Sequence, residues 1–112
     1  MKRITVHFYQ SENGKEPVLD FLKKLNKSDK KIIGIDIKTV EFGWPIGMPT
    51  CRPLGQGLYE VRSSISSNRI VRIIFTIEGS MMILLHGFIK KTKTTPKQEL
   101  DIAKKRYEEI KR

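Results

Sequence analysis

The sequence predicts a single α+β domain spanning residues 1–112, with helices packed on one face of an antiparallel sheet. The chain has only 112 residues, of which 38% are hydrophobic, and this suffices for one small core. Apolar residues alternate with period two near the N-terminus and again beyond Gly57, and recur at helical spacing elsewhere. The resulting order is strand, helix, helix, three strands and a final helix.

The first half of the chain is predicted to hold one strand and a helical hairpin. In Arg3–Tyr9 every second residue is apolar, which is typical of a half-buried strand. Pro17 suits the first turn of a helix, and Ser28 is predicted to cap a second helix that ends near Gly43. Because residues 43–57 contain four Gly and three Pro, we predict an irregular connection there.

The second half is predicted to be a three-stranded antiparallel meander followed by a helix. The strands are Leu58–Ser64, Arg69–Ile77 and Met81–Phe88, with turns at 66–68 and 78–80. The run Thr95-Pro96-Lys97-Gln98 has the pattern of a capping box, in which Thr95 caps the last helix and Gln98 reaches back. The apolar residues beyond it form one helical stripe: Leu100, Ala103, Tyr107 and Ile110.

The chain is strongly basic, with 22 Lys and Arg against 12 Asp and Glu and a formal charge of +10. Residues 62–98 carry seven Lys and Arg and one acidic residue, so much of the excess is local. A positive potential of this kind attracts polyanions, and nucleic acid is the leading predicted partner. The alternative is a basic surface that serves only solubility.

The composition also excludes several classes of protein. One cysteine and two histidines rule out a disulfide framework and a Cys-based zinc site, so no metal or cofactor is expected. The longest apolar runs are of strand length, which excludes a membrane span. The N-terminus lacks the pattern of a signal peptide, and we expect a cytoplasmic protein without membrane contact.

Two arginines are predicted to meet on the sheet face that the helices leave bare. A three-residue loop at 66–68 places Arg62 opposite Arg72, and a three-residue turn at 78–80 places His86 opposite Arg72. Like charges in a row call for a compensating anion, and the guanidinium fork suits a phosphate. Alternatively, Glu60 pairs with one arginine in an ordinary surface ladder.

The roles of the other polar residues stay open at this level. A histidine at the end of an apolar strand, such as His86, is often a hydrogen-bonded structural residue, although one near cations also suits proton transfer. Lys90 and Lys91 follow the last strand and point to opposite sides, so only one of them is expected to reach a substrate. Arg69 and Lys93 are predicted as additional RNA-binding residues.

Three segments carry a resemblance to a known family: Leu58–Arg62, Arg69–Phe75 and Leu84–Lys91, followed by Pro96 and a helix through Arg106. In order, spacing and element type they resemble the RelE/ParE toxin superfamily, above all its phage-associated HigB-like branch. The resemblance implies an RNase-like fold and the toxin of a type II toxin–antitoxin pair. RelE and HigB toxins cut mRNA on the ribosome without a metal.

The resemblance also implies site residues and partners. Arg72 corresponds to the arginine that contacts the scissile phosphate, with Arg62 and one of Lys90 or Lys91 as further basic positions. His86 stands where related toxins place a polar or acid–base residue. The implied partners are mRNA on the ribosome and a cognate antitoxin with a DNA-binding helix-turn-helix domain. The alternatives are a ParE-like protein that inhibits DNA gyrase and a non-catalytic nucleic-acid-binding module.

Overall fold

Three helices and five strands form the fold in a computed structural model that describes residues 3–47, 49–90 and 95–111. In chain order they are β1 (Thr5–Phe8), α1 (Pro17–Lys23), α2 (Lys27–Gly43), β2 (Cys51–Gly55), β3 (Leu58–Ile65), β4 (Arg69–Glu78), β5 (Met81–Lys90) and α3 (Lys97–Ile110). The α+β class is confirmed, as is the order of all seven predicted elements.

The strands form one mixed sheet in the order β1-β5-β4-β3-β2. β2 to β5 pair antiparallel with their neighbours, whereas β1 pairs parallel with β5, so the prediction of a purely antiparallel sheet is wrong at this edge. The position of β1 follows from which edge of the three-stranded meander is unpaired. β2 covers the outer edge of β3, which leaves β5 as the edge of the meander that can take another strand.

The strand β2 lies inside the segment that was predicted to be an irregular connection. It pairs antiparallel with β3, and the register shifts between Pro53 and Gly55. Proline lacks the N–H that a central strand needs, but it is tolerated in a strand at the edge of a sheet. The Pro and Gly content of residues 43–57 therefore hid a short edge strand.

Helices cover both faces of the sheet, so the prediction of helices on one face is wrong. The larger core joins α1 and α2 to the sheet and includes Val18, Ile33, Ile73, Phe75 and Leu84. On the opposite face, Ala103 of α3 packs against Ile74, Leu85 and Phe88. All residues of Val71–Thr76 are buried, and such a continuous buried run is typical of a strand with both faces covered.

Two predicted helix starts also differ from the structure. The cap of α2 is Asn26, whose Oδ1 accepts the backbone N–H of Asp29 at 2.8 Å, rather than Ser28. At α3 the capping position is Pro96, and the hydroxyl of Thr95 bonds elsewhere, so the capping box is wrong. Among the described helices, none has the length and apolar character that a membrane crossing requires.

Candidate nucleic-acid interface

Arg62 and Arg72 lie directly opposite each other on β3 and β4, as predicted. The loop between the strands has three residues, because Ile65 pairs with Arg69, and this loop length sets the register. Opposite residues share a face, which here is the face on which α3 packs. Arg62 is exposed, whereas Arg72 is only 2% exposed. The face predicted to be bare is therefore open at Arg62 and closed over Arg72.

Arg72 forms a buried ion pair with Glu60, which is 1% exposed. Nη1 of Arg72 donates to Oε1 of Glu60, and the same oxygen lies 3.1 Å from Nη2 of Arg52 on β2. The hydroxyl of Thr95 donates to the other carboxylate oxygen at 2.9 Å. The alternative in which Glu60 neutralises one arginine is thus confirmed for the pairing, although the pair is buried rather than on the surface.

This cluster, formed by Arg52, Arg62, Arg72 and Glu60, sets three guanidinium groups against one carboxylate. Burial lowers the pKa of Arg72, and repulsion from Arg52 and Arg62 lowers it further, while the attraction of Glu60 opposes both. Nε of Arg72 has no hydrogen-bond acceptor among the residues that the structure describes. The cluster therefore has an excess of positive charge, which an anion would offset.

Arg62 also lines an open cleft of about 570 Å³ between α2 and the end of β3. The other residues of the cleft are Ile32, Asp36, Pro49, Thr50 and Ser64. The cleft exists because β2 begins only at Cys51, opposite Val61, and beyond that point no strand pairs with the outer edge of β3 in the described structure. The cleft thus presents a cation, Arg62, and a carboxylate, Asp36, to solvent.

The predicted row from Arg62 through Arg72 to His86 is wrong at its last member. Arg72 lies opposite Phe88, and His86 lies opposite Ile74. The β4–β5 turn has two residues rather than three, and an irregularity between Ile74 and Phe75 shifts the register once more. His86 therefore lies two residue pairs away from Arg72 along the strands, on the part of the sheet that α3 covers.

Both ring nitrogens of His86 contact residues of α3. Nε2 lies 3.0 Å from Oε1 of Glu99, and Nδ1 lies 3.3 Å from Nη1 of Arg106. Because arginine can only donate, Nδ1 accepts, and Nε2 carries the proton that it donates to Glu99. Burial lowers the pKa of His86, although Glu99 opposes this effect. The lowered pKa favours the neutral ring. This geometry favours the structural interpretation of the histidine.

The remaining predicted residues divide between the two faces. Arg69 forms an ion pair with Asp29 of α2 at 2.8 Å, and it lies on the face opposite Arg62. Lys90, half-buried, pairs with Ile70 and so shares the face of Arg72. Lys91 and Lys93 lie outside the described residues. The structure therefore brings Arg62, Arg72 and Lys90 to one face and separates Arg69 from them.

The buried Cys51 is next to the cluster, but its thiol is unreactive. Burial raises the pKa of its thiol to about 11, with a further contribution from the negative charge of Glu60. The thiolate is the nucleophilic form of cysteine, and it is scarcely populated at neutral pH when the pKa is this high.

Sequence reasoning missed Arg52 and Thr95, which complete the cluster. Arg52 lies in the unpredicted strand β2, and Thr95, expected to cap a helix, instead donates to a carboxylate 35 positions away. No local pattern marks either contact. The alternation of strand residues did contain one usable signal, because it placed Glu60 on the same face as Arg62 and Arg72.

The chain has no match among curated proteins. By contrast, the sequence model of a family described as phage-derived Gp49-like proteins (DUF891) matches residues 20–108. The match runs from α1 to α3 and includes the whole cluster and the whole cleft. The chain therefore belongs to the phage-derived Gp49-like family.

Proposed function

We propose that this protein is the toxin of a type II toxin–antitoxin pair, and that it cuts mRNA on the ribosome as a metal-independent endoribonuclease. Its family is associated with RelE-like toxins, and a five-stranded sheet with three helices is compatible with a RelE-like fold. The observation that carries the proposal is the exposed Arg62, which lines the cleft and belongs to a cluster with excess positive charge.

Arg62 is the residue to which we assign contact with the scissile phosphate. It is exposed on the wall of the cleft, so an RNA phosphate can reach it without displacing another side chain. Two parallel N–H groups of a guanidinium bind two phosphate oxygens and remain charged throughout a reaction. Arg52, which is 36% exposed, flanks the same site. Arg72 contributes its charge from below and holds Glu60 in place.

The proposed reaction needs only the RNA, the protein and water. The ribose 2′-hydroxyl attacks the adjacent phosphorus, and the bond from phosphorus to the 5′-oxygen breaks. The products are a 2′,3′-cyclic phosphate and a free 5′-hydroxyl. Arg62 stabilises the negative charge of the phosphorane. We assign the uptake of the 2′-proton to Asp36, the carboxylate that shares the cleft, and its return to the 5′-oxygen to the same carboxyl group or to water.

A second function, binding and inhibition of DNA gyrase, is favoured by a different observation. Arg72 and His86, to which the resemblance gives chemical roles, are both held in intramolecular contacts. A protein that acts by binding alone needs no free acid or base, and its fold need not differ from that of a nuclease. The experiment therefore has to separate RNA cleavage from a gyrase-directed effect.

Primer extension on mRNA after induced expression separates the two functions. We expect discrete cuts in phase with codons, new 5′-hydroxyl ends and arrested growth. Arg62→Ala should reduce cleavage by roughly 100-fold, the usual cost of losing one group that stabilises the transition state. Its melting temperature should not change, because the side chain is exposed.

Lys23→Ala is the matched control, since it removes one positive charge from an exposed position on α1. The control should cut like the wild type. Intact transcripts together with growth arrest and a DNA-damage response would overturn the nuclease proposal in favour of gyrase inhibition. Wild-type cleavage by Arg62→Ala would overturn the assignment of the cleft.

A further inference from the structure

The solvent side of α2 carries large apolar side chains that are exposed in the structure. Ile35 is 54% exposed and Phe42 is 60% exposed. These two residues are seven positions apart, so they lie on the same side of the helix, almost opposite the buried Ile33 and Val40. Ile32, 37% exposed, lies one turn from Ile35. Adjacent exposed apolar residues of this size are typical of an interaction surface.

A row of lysines follows the apolar stripe formed by Ile35 and Phe42. Lys27, Lys31 and Lys38 are all exposed, and their spacing of four and seven residues places them on one side of α2 beside the stripe. The three acidic residues of the helix do not balance them, because Asp36 lies on the opposite side of the helix, in the cleft that Arg62 lines, and the other two are buried. Asp29 and Glu41 are buried, the first paired with Arg69 and the second bonded to β1.

An apolar groove of about 220 Å³ lies next to the stripe, between α2, α1 and β1. Its lining is Val6, Phe8, Leu22, Gly34, Ile37, Lys38, Glu41 and Leu84. Gly34 opens the groove, because no atom lies within 4 Å of the position that a Cβ would take there. Lys38 lines the groove and also belongs to the lysine row, so groove, stripe and row form one continuous surface.

The neighbouring edge of the sheet is partly blocked against an added strand. β1 is the edge strand, and the outward backbone N–H of Val6 donates to Oε2 of Glu41 at 2.8 Å. A partner strand would have to displace this carboxylate to bond there. A partner that inserts side chains into the groove meets no such obstacle, which favours a helix over an extended peptide.

We propose that this surface binds an amphipathic helix of another protein, with apolar side chains on the stripe and in the groove, and with acidic side chains opposite the lysine row. The groove lies at the β1 edge of the sheet, whereas the cluster lies towards the β2 edge, and the proposal stands without the proposed function. In a toxin, the segment of this chemistry would belong to the antitoxin. Because a binding assay needs no RNA, failure of this proposal and failure of the nuclease proposal give different results.

The test uses a synthetic helical peptide of about 18 residues, long enough to form a helix. It carries Leu at positions i, i+3, i+4 and i+7 and Glu at the flanking positions, and a matched peptide carries Lys in place of Glu. We expect the acidic peptide to bind the full chain in a calorimetric titration. The basic peptide should bind at least ~10-fold more weakly, because its Lys side chains would lie opposite the lysine row and repel it.

Variants then locate the binding site. The double variant Ile35→Ser/Phe42→Ser should weaken binding by at least ~10-fold, because it removes two apolar anchors. Lys31→Ala/Lys38→Ala should weaken binding less and reduce its dependence on salt. Met81→Ser is the control, since Met81 is 40% exposed but lies on the other face of the sheet, and it should bind like the wild type. All these positions are exposed, so unchanged melting temperatures confirm folding.

Four results would overturn the proposal. The acidic peptide fails to bind the wild type, or both peptides bind equally well. Vesicles of phosphatidylglycerol bind while the peptide does not, which would identify a membrane-binding face. The chain forms a dimer in solution that Ile35→Ser/Phe42→Ser abolishes, which would identify a second copy of the chain as the occupant.

Discussion

The two faces of the sheet are built from different chemistry. Under α1 and α2 the core is apolar, with Ile33, Val40, Ile73, Phe75 and Leu84 among its buried members. Under α3 a smaller apolar cluster adjoins two polar systems, the buried ion pair of Arg72 with Glu60 and the partly buried contacts of His86 with Glu99 and Arg106. Apolar burial stabilises a fold directly, whereas a buried ion pair contributes little because desolvation offsets its attraction.

The two faces of this small sheet therefore have different roles. The face under α1 and α2 supplies most of the stability, and the face under α3 holds charged groups in fixed positions at the expense of stability. The strands β3 and β4 hold the charged side chains of that face in position, since every second residue of each strand points to it. The comparison can be tested by truncating one buried residue on each face.

The largest expected effect comes from truncating a buried aromatic side chain on the face under α1 and α2. Phe75 is fully buried, stacks on Tyr59 at 5.5 Å and meets the edge of Trp44 at 5.9 Å. Phe75→Ala should lower the free energy of unfolding by about 3 to 5 kcal/mol. Ile74→Ala, at the next position on the opposite face, should cost less, about 2 kcal/mol. Urea denaturation followed by circular dichroism measures both, and an equal or larger loss at Ile74 would contradict the comparison.

The features that the sequence could predict depend on local signals. The pairing of Arg62 with Arg72 follows from the loop between them, where Ser67 and Asn68 adopt positive φ angles of 59° and 57° that suit a three-residue hairpin loop. The periodicity of the apolar residues likewise sufficed for seven elements. Each of these signals acts over fewer than about twenty residues, within one element or one turn.

The features that could not be predicted depend on contacts between distant segments. Strand alternation assigns Arg72 to a face, but what covers that face is decided by Thr95 and α3 further along the chain. Similarly, nothing near β1 indicates that its partner is β5. The two-residue β4–β5 turn and the irregularity between Ile74 and Phe75 together moved His86 out of the predicted row. The burial of Arg72 and the register between β4 and β5 therefore could not be predicted from the sequence, whereas the types of the elements could.

The second prediction concerns the ion pair on the polar face. Glu60→Leu should cost about 3 kcal/mol, because Arg72 would remain buried without its carboxylate. Arg72→Ala should cost less, because Glu60 keeps Arg52 and the hydroxyl of Thr95 as partners. The double variant Glu60→Leu/Arg72→Met should recover most of this loss, since apolar residues of similar volume can replace a buried pair. Chemical denaturation of the three variants tests this. A double variant as unstable as either single one would show that the pair itself stabilises the fold.

The smallest expected effect is a dependence of stability on pH that differs between the two faces. Burial lowers the pKa of His86 below its ordinary 6.5, so the unfolded chain takes up a proton first as the pH falls. The stability contribution of neutral His86 is complete above pH 6.5 and is lost as the pH falls towards the pKa of the folded state. This loss belongs to the face under α3.

On the other face the group that titrates is Asp29, which links α2 to the β3–β4 loop. The backbone N–H of Ser66 lowers the pKa of this carboxylate most, with further lowering by the hydroxyl of Ser66 and by Arg69, and burial opposes them. Its contribution is complete above its ordinary pKa of 3.8 and is lost at lower pH. Unfolding free energies measured across these two pH intervals should therefore separate the faces. His86→Gln should remove the dependence just below pH 6.5 and leave that below pH 3.8, and Asp29→Asn should do the reverse; a single variant that removed both would show that the faces titrate as one unit.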